Sequence, residues 1–308
     1  MLGELATAIP PPHVVFTGGD PLKRPDLLRI IRFAGALELP VAVAPSATMA
    51  VTGALARELK QAGVSAISLS VDGPAAAQHD AARGVLGCFG WTLAAAAHIR
   101  AAGIPLQVNT LVTGENVRQL EDIAALVGRT GAARWSLFFL VGVGRGRALT
   151  EADALEAERT LRWVAASASR WPFLVSTTEA PHYRRVVLQQ LRAAGVPDPE
   201  IAAHPIRRTF GLRDGNGIMF IAANGDVTPS GFVPVSPGNV RSNGPLEIYR
   251  SAPLFRALRD PGRLKGRCGR CEFGDVCGGS RARAWAHGDL FGEDPLCPWV
   301  PRAMEATV

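Results

Sequence analysis

Ahead of residue 268 the chain has a single cysteine, Cys88, and its 308 residues include only three lysines, Lys23, Lys60 and Lys265. One cysteine in so long a stretch excludes a disulfide framework there. The odd total of five, four of them crowded at one end, does not suit a secreted cross-linked domain either. No apolar run approaches the length of a bilayer span, and Met1 is followed by no basic-then-apolar leader. No membrane partner is therefore expected, and the cytoplasm is the expected compartment. Aromatics make up only 6% of the chain, and its basic stretches lack interleaved rings, which argues against nucleic acid despite a net charge of +6. With lysine so scarce, the other thirty of the 33 cations are arginines, a bias that fits a GC-rich coding sequence. Disorder is excluded as well: 47% hydrophobic and 19% charged residues describe a chain that buries one large domain and a smaller one.

What is present is concentrated in the tail, as Cys268-x2-Cys271-x5-Cys277-x19-Cys297. Soft thiolates grouped in this way bind metal, and the two short gaps let one loop present three sulfurs to one centre. The fourth ligand returns from beyond a short helical stretch. The spacing marks a metal site and leaves iron–sulfur and zinc both open. Arg259, Arg263, Lys265, Arg267, Arg270, Arg281 and Arg283 surround these cysteines. A thiolate-ligated centre is anionic, so such cations would stabilise it and steer an acidic substrate or redox partner.

The front half repeats an apolar run, a turn and an alanine- and leucine-rich helix. Runs at 13–16, 40–43, 66–70, 104–112 and 134–143 alternate with predicted helices at 26–37, 52–62, 90–102 and 117–130. This pattern predicts an α/β fold on a parallel sheet, whose chemistry gathers at the carboxyl ends of the strands. Residues 149–205 read as helical and charged, with Thr150-Glu151-Ala152-Asp153 as a helix start. Asn224-Gly225 between two apolar runs predicts a hairpin. The expected domains are a core over 1–148, a helical connector over 149–212 and a metal-binding domain over 213–308. At the front, Leu2, Leu5, Ala6 and Ile9 fall at helical spacing with no capping residue before them.

Three strand-end segments and the tail together resemble the radical S-adenosylmethionine (SAM) enzymes that carry a SPASM or twitch domain. The segments are Phe16-Thr17-Gly18-Gly19-Asp20-Pro21, then Ser68-Leu69-Ser70-Val71-Asp72-Gly73-Pro74 with His79-Asp80 and Arg83-Gly84, then Gln107-Val108-Asn109-Thr110. The tail adds Asn224-Gly225-Asp226-Val227, Gly238-Asn239-Val240-Arg241, the run from Cys277 to Ala284, and Gly288-Asp289. The nearest relatives in style mature haem or modify ribosomal peptides. The resemblance implies an incomplete parallel (β/α) partial barrel followed by a small α+β SPASM/twitch domain. It implies that Gly18, Gly19 and Asp20 approach the methionyl ammonium of SAM, that Ser70 and Arg83 address its carboxylate, that Asn109 meets the ribose, and that Leu140 and Val141 flank adenine.

Cys268, Cys271, Cys277 and Cys297 match one auxiliary [4Fe-4S] cluster, with a structural zinc site as the alternative. Ser230 and Ser280 stand where a second auxiliary cluster commonly has cysteines, so one such cluster is expected. The family's Cys-x3-Cys-x2-Cys motif, which holds the SAM-cleaving [4Fe-4S] cluster, does not occur in the chain. The expectation is that the first βα unit is missing and that a second cluster belongs only to a complete protein. That protein would cleave SAM reductively and abstract hydrogen from a peptide or tetrapyrrole-like substrate, fed by a ferredoxin or flavodoxin, while this chain would be inactive. The rival expectation is a non-catalytic iron–sulfur or zinc scaffold or electron carrier.

The remaining residues carry weaker signals. Cys88 reads as a packed small thiol, and the six histidines form no ligand-spaced pair, reading mostly as surface or satisfied groups. Thr177 to Tyr183 reads as a pocket wall or as a loop before a helix. Gly142-x-Gly144-x-Gly146 is a candidate phosphate or carboxylate turn.

Overall fold

The computed structural model describes residues 1–209 and 211–305. The chain divides into two compact units: one of residues 1–112, 118–138 and 170–176, the other of 113–117, 139–169 and the chain from 177 on.

The first unit opens with a short helix α1 (Leu2–Leu5) and then lays down strands at the expected apolar runs. These are β1 (Val14–Phe16), β2 (Val41–Val43), β3 (Ala66–Ser70), β4 (Leu106–Val112) and β5 (Arg134–Phe139). A sixth strand, β6 (Leu174–Thr178), completes a sheet of order β1-β2-β3-β4-β5-β6. The pairings from β1 to β4 are parallel, with Phe16 opposite Val43 and Ser70 opposite Asn109. Parallel neighbours need helical crossovers, and the chain supplies α2 (Leu27–Ala36), α3 (Gly53–Ala62), α4 (Ala76–Arg83), α5 (Cys88–Ala101) and α6 (Leu120–Thr130). Helix α3 starts where Thr52 Oγ1 accepts from Leu55 N at 3.2 Å and stops at Gly63, φ 100°.

The sheet's two faces differ, and that difference matters for function. Ile67 and Leu69 of β3 and Leu106 and Val108 of β4 are buried. Ser68, Ser70, Gln107 and Asn109, alternating with them, are only half-buried and sit opposite one another in register. A parallel sheet covered by apolar groups on both faces would read hydrophobic throughout. This one keeps a polar stripe. Beneath it, fully buried Trp135 donates Nε1–H to Thr110 Oγ1 at 2.9 Å and meets Trp171 and Phe173 edge-on.

The second unit carries α7 (Ala154–Ser167), capped by Asp153 as its sequence predicts, α8 (Tyr183–Ala193) and α9 (Asp198–Ala203). The stretch 149–205, read as helical, thus also contains β6, whose Leu-Val-Ser-Thr-Thr composition is β-branched and suits a strand. A short pair, β7 (Arg213–Asp214) and β8 (Gly217–Ile218), leads to the expected hairpin of β9 (Phe220–Ile221) and β10 (Asp226–Thr228), extended by β11 (Gly238–Asn239). Helices α10 (Pro245–Ser251), α11 (Pro253–Arg259), α12 (Gly266–Gly269) and α13 (Arg281–Ala286) frame the cysteine segment. An apolar cluster of Leu188, Ile201, Phe273 and Cys277 holds it, and another of Val227, Ile248 and Phe255 packs the hairpin against α10 and α11. No helix among the described residues is long and apolar enough to cross a membrane.

Candidate functional site

In the first unit the expected cofactor residues Gly18, Gly19 and Asp20 follow β1, Ser70 ends β3, Arg83 ends α4 and Asn109 lies within β4. The chain leaves β1 through Gly18, whose φ of 126° is open to glycine and costly for other residues. Asp20 Oδ1 accepts backbone N–H groups from Leu22 at 3.1 Å and Ser46 at 3.4 Å, and Ser46 Oγ donates to Gly19 O at 3.1 Å. Asp20 therefore organises the two loops after β1 and β2. Ser46 is a participant that no sequence motif announced.

Ser70 and Asn109 face each other across the β3–β4 pairing, and Asn109 Oδ1 accepts from Gln107 Nε2 at 2.7 Å. Arg83, partly exposed at the end of α4, donates Nη1 to Asp72 Oδ2 at 3.1 Å. The other Asp72 oxygen accepts from Leu111 N at 2.7 Å, and Asp72 N donates to His79 Nδ1 at 3.1 Å. Arg83 is thus anchored by a carboxylate of its own unit.

His79, Asp80 and Cys88 are, among the described residues, the one set of three potential ligands whose atoms all lie within 4.8 Å of one another. Their bonds account for them without an ion. Asp80 accepts from Gly87 N at 2.6 Å, Phe89 N at 2.7 Å and Cys88 Sγ at 3.3 Å, fastening the start of α5. Burial alone would raise the Asp80 carboxyl, but those backbone donors outweigh it and hold the group below its ordinary value. Burial, reinforced by Asp80, pushes the Cys88 thiol up to about 11, which makes it a packed, unreactive group.

In the second unit, Cys268, Cys271, Cys277 and Cys297 all line one cavity, with Arg185, Arg267, Phe273, Asp294 and Trp299 among its other walls. All four are free thiols. No three of their sulfurs approach within 4.8 Å of one another. Backbone N–H groups point at two sulfurs: Phe273 N at 3.5 Å from Cys271 and Gly279 N at 3.4 Å from Cys277. Burial raises all four thiols, Cys297 to about 11, so loading a metal must displace protons. Gly279, at φ 65°, has no room for a side chain: a Cβ would meet Arg281 Nη2 at 2.6 Å and Cys268 Sγ at 3.1 Å.

The basic residues expected around the cysteines are mostly committed elsewhere. Arg263 pairs with Asp260, Lys265 with Asp289 and Arg267 with Glu293. Arg283 is a fully buried hub that donates to Glu179 O at 2.8 Å, Leu140 O at 2.8 Å, Phe139 O at 3.3 Å and Asp294 Oδ1 at 3.2 Å. Leu140 and Val141 thereby have local roles in this unit, Val141 packing with Val233 and Ala282. Ser230 caps its own turn, and Ser280 starts α13, its Oγ donating to Glu179 Oε2 and accepting from Arg283 N at 2.9 Å. Burial and the neighbouring Asp214 charge push the Glu179 carboxyl well above the usual range. Glu179 also adopts a left-handed φ of 58° directly after β6.

His182 departs from the satisfied histidine its sequence suggested. It is fully buried, and neither ring nitrogen has a hydrogen-bond partner among the described residues. Burial drives its pKa down to about 4. Apart from Arg185, three residues on, the groups that act on it electrostatically, Asp294, Arg283 and Glu158, come from three other segments.

Comparison with known proteins agrees with this fold. The Radical SAM superfamily model matches residues 2–127. The AdoMet-dependent heme synthase of Nitratidesulfovibrio vulgaris is 38% identical over 296 residues, covering 95% of this chain and 80% of that protein. The PqqA peptide cyclase of Gluconobacter oxydans is 28% identical over 305 residues, covering 94% and 77%. The crystal structure of Streptococcus suis SuiB bound to S-adenosylmethionine superposes with a TM-score of 0.70 at 16% identity, covering 93% of this chain and 66% of that one.

Proposed function

Because the chain belongs to the radical SAM superfamily, we propose that it serves the maturation of a haem-type tetrapyrrole, binding SAM in its first unit and one auxiliary [4Fe-4S] cluster in its tail. The observation that carries this reading is the convergence of four cysteines on one cavity, with no three of their sulfurs within 4.8 Å of one another. A tetrahedral zinc, with Zn–S bonds near 2.3 Å, would hold its thiolates only about 3.8 Å apart. A four-iron core spreads its cysteines further. The donor set fits it: four thiols, backbone N–H groups aimed at two sulfurs, and cationic walls. Cys268, Cys271, Cys277 and Cys297 would hold this cluster, which supplies one-electron chemistry when bound. With four protein ligands it has no vacant position for substrate, which favours accepting an electron over ligating the tetrapyrrole.

The first unit's part is to bind and orient SAM. Carbonyls of the Gly18-Gly19 turn, kept in place by Asp20 and Ser46, receive the ammonium. Ser70 addresses the carboxylate from the polar stripe, with Arg83 released from or shared with Asp72, and Asn109 holds the ribose. Tetrapyrrole is preferred to peptide because the haem synthase shares more of its sequence with this chain than the peptide cyclase does. This chain's residues do not fit a SAM-cleaving cluster. Its only cysteine ahead of the tail is buried and bonded to Asp80, so no cleavage step is assigned to these residues. In this reading the chain alone is inactive in cleavage, and a cytoplasmic ferredoxin or flavodoxin supplies electrons to the complete reaction. The lack of those cysteines also favours a second reading, an iron–sulfur electron carrier.

Anaerobic reconstitution tests the tail, with a brown protein carrying about four irons per chain expected. A colourless protein holding one zinc would sink the cluster. Calorimetric titration with SAM tests the first unit: Ser70→Ala and Asn109→Ala should each weaken binding about tenfold, the loss of one good hydrogen bond. Equal binding by wild type and variants would remove the site. An electron carrier would bind no SAM at all.

A further inference from the structure

Two guanidiniums reach the sulfurs of the cysteine cavity, and they differ in charge balance. Arg185 is 1% exposed at its side chain and donates Nη2 to Cys297 Sγ at 3.8 Å. Its charge is already met by Glu158, through Nη1 to Oε1 at 3.1 Å and Nη2 to Oε2 at 2.5 Å. Gln189 Oε1 accepts from it at 2.8 Å, and its guanidinium lies 5.2 Å from the centroid of the Trp299 ring.

Arg281 is fully buried and donates Nη2 to Cys268 Sγ at 3.9 Å. Its other partners are the carbonyls of Gly279 at 3.3 Å, Leu290 at 3.0 Å and Gly292 at 2.7 Å. No carboxylate among the described residues forms an ion pair with it. Three neutral acceptors satisfy its hydrogen bonds, while Asp294, paired with Arg283, and Asp289, paired with Lys265, act on its charge only from beyond ion-pair distance. The anion in contact with it is whatever the thiols hold, on the side where Arg281 meets Cys268.

We propose that Arg281 is the counter-charge of the tail cluster and sets its reduction potential, while Arg185, neutralised by Glu158, hydrogen-bonds Cys297 with little net effect on that potential. This rests on the cluster reading above. Reduction adds a negative charge to the cluster, so a cation at its edge with no ion-pair partner favours the reduced form and raises the potential. Arg185 and Glu158, which also takes Arg162 Nη2 at 2.8 Å, act on the cluster with opposite signs and largely offset each other. Removing Glu158's charge alone frees Arg185 to act as Arg281 does. The arrangement therefore predicts shifts of opposite sign.

The test is an optical redox titration of the full chain, anaerobically reconstituted with iron and sulfide, where the tail supplies the one expected cluster. Arg281→Gln should disfavour reduction at least tenfold, which is 59 mV for a one-electron couple. Arg281→Lys should restore most of it. Glu158→Gln should favour reduction about threefold, and Glu158→Gln with Arg185→Gln should return near wild type. Should Arg281→Gln fail to take up iron, the upward shift of Glu158→Gln still decides. A brown, iron-loaded Arg281→Gln at the wild-type potential, or a Glu158→Gln that does not move upward, overturns the proposal and leaves the cluster reading standing. A wild-type protein that takes zinc and stays colourless overturns both.

Discussion

Replacing Arg283 by methionine should be among the most damaging single changes in the second unit. The side chain is fully buried and makes four hydrogen bonds, three to the carbonyls of Phe139, Leu140 and Glu179 and one to Asp294. Asp294 is 1% exposed and relies on this cation, together with N–H donors from Ser280 at 2.8 Å and Leu296 at 3.1 Å. Burial alone would raise the Asp294 carboxyl, but Arg283, with help from His182 and Ser280, holds it below its ordinary value. Methionine keeps much of the volume and removes the charge. Breaking one side of a buried ion pair costs about 3–5 kcal/mol, a large share of a stability of about 5–15 kcal/mol. Urea denaturation of the iron-loaded protein, followed by circular dichroism, measures the loss. Asp294→Asn placed on top should recover at least about 2 kcal/mol, since the neutral amide no longer needs a cation. A cost below about 1 kcal/mol, or single costs that simply add, would refute the view that this pair is a mutually dependent buried unit.

Acid should destabilise the fold through His182. Between its ordinary value of 6.5 and its folded value of about 4, the unfolded chain binds a proton that the folded one refuses, so stability falls as pH drops through that window. The displacement is worth about 3 kcal/mol. His182→Leu should flatten the slope, and parallel losses in both proteins would contradict it. Glu179 acts in the opposite sense. Its raised carboxyl keeps a proton in the fold, so its contribution is present in acid and lost as pH rises, and Glu179→Gln should reduce the alkaline loss. Gly279→Ala forces a Cβ between Cys268 Sγ and Arg281 Nη2 at positive φ and should cut iron loading below half, as iron analysis would report. Asp80→Ala removes the acceptor for Gly87, Phe89 and Cys88 and should lower the urea midpoint. It should also speed alkylation of Cys88; an unchanged rate would mean that Asp80 does not hold the thiol down.

The parallel sheet was legible because each apolar run is short, β-rich and closed by Gly, Asp, Ser or Asn, and because each following helix repeats at helical spacing. Helix starts at residue 52 and within Thr150-Glu151-Ala152-Asp153 were legible, and Asn224-Gly225 announced its hairpin. Strand β6 was hidden in a stretch dominated by helical neighbours, where five residues carry little periodic signal. The four tail cysteines were legible from spacing alone, and the structure brings all four to one cavity.

The sequence by itself determined the residue types and local order: the strand-end turns, the thiol set and the lack of a second cysteine motif. Local chemistry is written in neighbours along the chain, and each of these features depends on few other segments. Tertiary structure alone decided which charges are balanced. Arg185 and Arg281 look alike in the sequence, each an arginine in a basic protein. Only folding gives the first a carboxylate 27 residues away in Glu158 and sets the second against Cys268 with no carboxylate at ion-pair distance among the described residues. The reason is that burial strips water from both groups, so the partner each meets across the fold, and not its place in the chain, sets what its charge does.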